Sequence, residues 1–230
     1  MKTIGLLGGM SWESTQTYYR LLNEGVKAHL GGLHSAKLIL YSVDFAEIEA
    51  LQHQGNWPGT ASILSRAARS LEDAGADFLV IGTNTMHKVA PEIEQAIGIP
   101  LLHIADATAR VLKRDGVSSV GLLGTRFTME QDFYRERLEN AGIRVIVPNE
   151  PERELIHRVI YEELCQGSIN QASKQAYLEI VTSLASRAAD AVILGCTEIG
   201  LLIQQSDTPV PLYDTTEIHA AQAVEKALDT

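Results

Sequence analysis

A chain of 230 residues has material for one domain with a substantial core or for two small lobes. With 45% hydrophobic and 21% charged residues, its composition is that of an ordinary globular protein. The formal net charge of −10 argues against nucleic acid or an anionic membrane as a partner, because either needs a basic patch to displace counterions.

In chain order, an apolar run at residues 3–7 reads as a strand, followed by an amphipathic helix over 14–28 and a strand over 37–43. A helix over 60–74 then leads to strands at 78–81 and 100–103, with a helix at 105–114 after them. The second half continues with a strand at 119–123, a helix at 129–141, a strand at 143–147 and helices at 152–164 and 171–188. Strands at 191–194 and 210–213 complete the set. These strands lack clean alternation, as expected for a parallel sheet covered by helices on both faces, so the fold class is α/β. The N-terminus enters its first strand without a signal, transit or membrane-length apolar segment. Two cysteines make neither a disulfide framework nor a zinc cluster, so a cytoplasmic location with reduced thiols is expected.

The chain nearly repeats itself. Ile4-Gly5-Leu6-Leu7-Gly8 is echoed by Val120-Gly121-Leu122-Leu123-Gly124, and Asp77-Phe78-Leu79-Val80-Ile81-Gly82-Thr83 by Asp190-Ala191-Val192-Ile193-Leu194-Gly195-Cys196. Ile99-Pro100-Leu101-Leu102 is echoed by Val210-Pro211-Leu212-Tyr213. The pairs 4 and 120, 83 and 196, and 100 and 211 lie 116, 113 and 111 residues apart, so order and spacing are kept. Two similar pseudo-symmetric α/β lobes follow, with an active site expected in the cleft between them. The first is expected over residues 1–98 plus a C-terminal segment from about 207 to 230, and the second over 99–206. The strands near Pro100 and Pro211 are expected to cross back and complete the opposite lobe.

Ligands of open α/β sheets bind beyond the carboxyl ends of the strands. Four such ends carry glycine and small polar residues: Gly8-Gly9-Met10-Ser11, Gly82-Thr83-Asn84-Thr85, Gly124-Thr125, and Gly195-Cys196-Thr197-Glu198. Small polar residues there also serve simply as helix N-caps, but four together favour a ligand site. Neither a dinucleotide fingerprint nor a phosphate loop is present, and no histidines are spaced to hold a metal. Cys196, ending a strand and opening a helix, is expected to have a lowered thiol pKa and to act as nucleophile or base. His87 falls one turn beyond Thr83 and is read as a neighbour of the site rather than part of it. Cys165, late in a helix, reads from its local setting as a packing residue.

These four runs together, extended to Thr83-Asn84-Thr85-Met86-His87, resemble the aspartate/glutamate racemase family, most closely the aspartate racemases, over essentially the whole chain. The resemblance implies two pseudo-symmetric lobes, a homodimer, no cofactor (the family works without pyridoxal phosphate) and a small amino-acid substrate. It also implies two acid/base groups, one for each face of the substrate α-carbon. Cys196 matches the cysteine that takes the proton of an L-isomer, and Thr83 stands where the opposite cysteine is found. By position, Met10, Ser11, Asn84, Thr85, Thr125 and Thr197 would hold the substrate, with His87 and Glu198 behind them.

Two departures from the family pattern stand out. A threonine hydroxyl is a far weaker acid than a thiol, so the enzyme is expected to be lopsided, with a higher kcat from L to D. The Arg and Lys expected to grip a side-chain carboxylate are also missing: residues 44–49 contain no Arg, and Cys165 occupies the Lys position, leaving Gln52 as a neutral donor. Alternatives are therefore racemisation of a neutral polar amino acid such as homoserine, a single-cysteine decarboxylase or isomerase of small dicarboxylates, and an inactive ligand-binding protein.

Overall fold

A computed structural model describes residues 1–229. The contacts divide the chain into two units: Met1–Ile104 together with the segment from His219 onward, and Ala105–Ile218.

The first unit contains β1 (Ile4–Gly8), α1 (Trp12–Leu30), β2 (Leu38–Ser42), α2 (Phe45–His53), α3 (Trp57–Asp73), β3 (Phe78–Ile81), a 3₁₀ turn over Thr85–Val89, α4 (Ala90–Ala96) and β4 (Leu101–Leu102). Its four strands are parallel, in the order β2-β1-β3-β4. Alternate residues of the central strands enter two different cores. Ile4, Leu6, Phe78 and Val80 pack with Tyr18, Leu22 and Val26 of α1, while Leu7, Leu79 and Ile81 pack with Leu64, Ala68 and Leu71 of α3. Each fully buried Leu, Ile or Val side chain contributes about 1.5–3 kcal/mol, which is why these strands carry no polar face. β2 is the exception: it lies at the sheet edge and its last three residues are exposed.

The second unit opens with α5 (Ile104–Arg114) from its second residue onward and β5 (Ser119–Gly124), followed by α6 (Arg126–Glu130), α7 (Asp132–Asn140), β6 (Arg144–Ile146), α8 (Glu150–Glu162) and a 3₁₀ turn over Leu164–Gln166. It continues with α9 (Gln171–Ser186), β7 (Ala191–Gly195), α10 (Ile199–Leu202), β8 (Leu212–Asp214) and the first turn of α11 (Thr215–Leu228). Its order, β6-β5-β7-β8, repeats the first sheet strand for strand. Gly5 and Gly121 occupy matching positions in the repeat, and both let a neighbour press onto the sheet. A Cβ on Gly5 would lie 2.8 Å from Ala76 Cβ, and one on Gly121 would lie 2.8 Å from Leu184 Cδ1 of α9.

The expected exchange of strands does not occur. β4 pairs with β3 and β8 with β7, so each proline-containing strand stays in its own sheet. The two units divide the chain at 104/105 and 218/219. What returns to the first unit is the rest of α11, whose Ala220, Ala223, Val224 and Ala227 pack in the core with α1. The helix expected over 129–141 is two helices, because Gln131 is extended (φ −96, ψ 151) and separates α6 from α7.

The turn after β1 is tightly specified. Gly9 has φ +92, and its N–H donates to Thr15 Oγ1 at 2.7 Å, while the Thr15 hydroxyl donates to Ser11 O at 2.8 Å. A Cβ on Gly9 would meet the backbone oxygen of Val43. Strain at positive φ and the clash act together, so Gly9→Ala is expected to cost about 3 kcal/mol, read as a fall of roughly 6–12 °C in Tm by calorimetry.

Candidate active site

In the first unit the strand register places the ends of β1 and β3 side by side: Leu7 pairs with Ile81, and Gly82 N–H donates to Leu7 O at 2.8 Å. The loops carrying Met10-Ser11 and Thr83-Asn84-Thr85 are thus neighbours. Ser11 caps α1, its hydroxyl accepting from Ser14 N–H at 3.3 Å, and Ser14 Oγ donates to Gly82 O at 3.1 Å, tying the two loops together. Met10, Ser11, Asn84 and Thr85 are buried, whereas Thr83 is half-buried. Val43 N–H donates to Gly8 O at 3.0 Å, so the segment leading into α2 starts beside the same strand end. Gln52, in the last turn of α2, is buried. His87 is only 1% exposed and both ring nitrogens are engaged: Nδ1 lies 2.8 Å from Thr83 O, and Nε2 accepts from Ile104 N–H at 3.2 Å.

In the second unit the ends of β5 and β7 are adjacent, with Gly124 paired to Gly195. This sets Thr125 beside Cys196. Thr125 caps α6, its hydroxyl accepting from Thr128 N–H at 3.4 Å. Thr197 accepts from the Thr216 hydroxyl at 3.2 Å, which links the turn after β7 to the start of α11. Cys165, on the 3₁₀ turn after α8, packs against the same apolar cluster as Cys196. The Cys196 thiol donates to Glu198 Oε2 at 3.0 Å, and the Glu198 carboxylate is itself buried.

Burial pushes the Cys196 thiol well above its ordinary range, and the negative charge of Glu198 pushes it the same way. This corrects the expected lowering. α10 has four residues, begins only at Ile199, and offers too little dipole to offset desolvation beside a carboxylate. Cys196 therefore rests as a thiol, hydrogen-bonded to a group that can accept its proton.

Asp214, at the end of β8, lacks a conspicuous sequence motif and escapes sequence reasoning. Its Oδ1 accepts from Thr216 N–H at 2.8 Å and Glu217 N–H at 3.2 Å, capping α11. Burial raises its carboxyl to about 6 despite those bonds. With Leu194, Gly200, Ile203, Gln204, Gln205, Leu212 and Glu217 it lines an open cavity of about 350 Å³. A folded-state pKa above the unfolded value of 3.8 means that the stabilisation is complete below about pH 4 and is lost as pH rises through 6. Asp214→Asn keeps the capping oxygen and is expected to remove this slope, worth about 2–3 kcal/mol between pH 4 and 7, as read by urea unfolding at several pH values.

Among the described residues no three His, Cys, Asp or Glu side chains form a metal-binding group, and no helix is long and apolar enough to cross a membrane.

Two parallel four-stranded sheets of identical order, with polar turns at matching strand ends, define the two-lobed α/β fold of the racemases. A crystal structure of a candidate Asp/Glu racemase from Yersinia pestis matches at 57% identity and a TM-score of 0.94, covering 100% of both chains. An aspartate racemase homologue from Pyrococcus horikoshii OT3 matches at 38% identity and a TM-score of 0.87, again over 100% of both chains. The broad-specificity amino-acid racemase of Bacillus subtilis (strain 168) is 23% identical over 98% of each chain. The family profile for Asp/Glu/hydantoin racemases matches residues 7–223, and the chain belongs to that family. It is an isomerase of the amino-acid racemase class.

Proposed function

We propose that the protein racemises aspartate or glutamate without a cofactor, Cys196 taking the α-proton of the L-isomer and Thr83 serving the opposite face. The observation that carries this reading is the Cys196–Glu198 hydrogen bond of 3.0 Å, at the second copy of a turn whose first copy holds Thr83. Glu198 takes the thiol proton, and the thiolate then takes the α-proton, so the C–H bond breaks as a new S–H bond forms. The Thr83 hydroxyl returns a proton to the other face and is reprotonated from water, to which Glu198 releases the proton it took, so the cycle closes with Cys196 again a thiol beside a carboxylate. An alcohol is a poor base, so the reverse direction starts more slowly. Because the equilibrium constant between enantiomers is unity, the KM values must compensate for unequal kcat values.

Acidic substrates are favoured by the likeness to the Pyrococcus horikoshii homologue. A neutral polar amino acid such as homoserine is favoured instead by the absence of Arg from residues 44–49 and by Cys165 at the position where the family places a Lys. One experiment decides among these readings: incubation with L- and D-amino acids in deuterated water, scored for inversion, α-deuteration and carbon dioxide release. Inversion with deuteration of aspartate or glutamate is the expected result. Deuteration and inversion of homoserine alone would move the substrate, carbon dioxide release would move the reaction, and binding without deuteration would overturn catalysis.

A further inference from the structure

The first unit contains three buried histidines that no step above uses. His87, His103 and His219 are 1%, 3% and 0% exposed; the ring centroids of His87 and His103 lie 4.4 Å apart, and those of His87 and His219 lie 5.8 Å apart. The hydrogen bonds of His87 fix its proton. A neutral imidazole has one donor and one acceptor nitrogen. A backbone N–H can only donate, so His87 Nε2, facing Ile104 N–H at 3.2 Å, is the bare nitrogen. A carbonyl can only accept, so Nδ1 carries the proton it shares with Thr83 O at 2.8 Å. An imidazolium would lose the bond from Ile104, so the ring is held neutral in one tautomer.

His219 presents Nε2 to Leu102 O at 2.8 Å, so that nitrogen carries a proton, and its Nδ1 lies 2.8 Å from the Tyr18 hydroxyl. One ring thus grips the carbonyl of Leu102 and the other the amide of Ile104, so the segment after β3 and the segment after β4 are locked to each other through side chains from the 3₁₀ turn, α1 and α11. The end of that lock is the carbonyl of Thr83, the half-buried residue at the first-lobe acid/base position.

We infer that His87 is a positioning residue for Thr83, fixing the backbone of Thr83 through an Nδ1–H donor whose tautomer is set by Ile104, and thereby the direction in which the Thr83 hydroxyl points. This rests on the reading of Thr83 as the group that completes inversion. A positioning role and a merely structural role separate in one ratio. Abstraction from an L-substrate by Cys196 followed by return from the same side gives deuterated L-isomer without inversion, and that half of the chemistry does not use Thr83.

Two substitutions divide the ring's functions. In His87→Asn the amide nitrogen replaces Nδ1 and keeps the bond to Thr83. In His87→Gln the amide oxygen replaces Nε2 and keeps the bond from Ile104 while losing that to Thr83. In deuterated water with the L-substrate, H87Q is expected to lower inversion about tenfold relative to deuteration of recovered L-isomer, while H87N stays within about twofold of the unaltered protein. Equal ratios in the two variants, or loss of inversion and exchange in step, would overturn the inference. Should neither variant fold, nitrogen NMR of the unaltered protein labelled at histidine still decides. A proton on His87 Nδ1 with bare Nε2 supports it, and a proton on Nε2 sinks it. An unaltered protein that exchanges no amino acid would refute the racemase reading itself; an active one with an unchanged ratio refutes only the role of His87.

Discussion

Cys196→Ser is expected to lower both inversion of the L-isomer and its α-proton exchange by about 10³-fold, because the thiol paired with the buried Glu198 carboxylate is removed. The serine hydroxyl fits the same space and hydrogen-bonds the same carboxylate, so thermal stability is expected to stay nearly constant. The loss then reports on acidity rather than on folding. Glu198→Gln makes the complementary test. It removes the acceptor of the thiol proton and is expected to cost about 10²-fold in kcat for the L-isomer. It also removes a negative charge that holds the thiol pKa up, so Cys196 should react faster with iodoacetamide as turnover falls. Opposite movement of alkylation and turnover is the diagnostic outcome. If both fall together, Glu198 is organising the turn after β7 and not serving the thiol.

The fold and the candidate site were legible in the sequence to different degrees, for physical reasons. The central strands stand out because burial on both faces forces uninterrupted apolar runs, and the repeat around Gly5 and Gly121 shows that one architecture is built twice. The edge strand β2 is apolar but exposed, and apolarity alone does not separate an edge from a centre. α2 left little trace, since only Ile48 and Gln52 of its nine residues are buried and one of them is polar. The break at Gln131 carries no proline or glycine to mark it. The pairing of β4 with β3 and of β8 with β7 is not legible locally, because strand partners depend on long-range contacts, which a motif around Pro100 or Pro211 does not encode.

At the site, residue order placed Thr83 and Cys196 at matching strand ends, but proton states needed three dimensions. A cysteine before a helix reads as activated; the shortness of α10, the burial of the thiol and the carboxylate of Glu198 reverse that reading. His87, one turn beyond Thr83, reads from the sequence as a neighbour of the site, but only the structure shows that its bonds to Thr83 O and Ile104 N–H engage both ring nitrogens. Asp214 was invisible because its raised pKa comes from burial at the end of β8, and burial of one carboxylate has no sequence signature.

Substitution of Thr83 separates the two halves of the proposed reaction. Thr83→Ala removes the hydroxyl that returns the proton, so inversion of the L-isomer is expected to fall about 10²-fold while deuterium still enters the recovered L-isomer through Cys196. Thr83→Cys should act in the opposite sense. A thiol has an ordinary pKa of about 8.5, many orders more acidic than an alcohol, and it would supply a usable base for the D-isomer. The kcat from D to L is expected to rise by about tenfold or more. The ratio of kcat/KM in the two directions must stay at unity in every variant, because it equals the equilibrium constant between mirror images; a gain in D-isomer kcat therefore appears together with a higher D-isomer KM or a faster L-isomer reaction. Progress curves started from each pure enantiomer, followed by chiral chromatography, measure all four constants. Equal kcat values in the two directions for the unaltered protein, unchanged in T83C, would show that the Thr83/Cys196 asymmetry has no kinetic consequence. A steep gain in D-isomer turnover would show that this one hydroxyl sets the preferred direction.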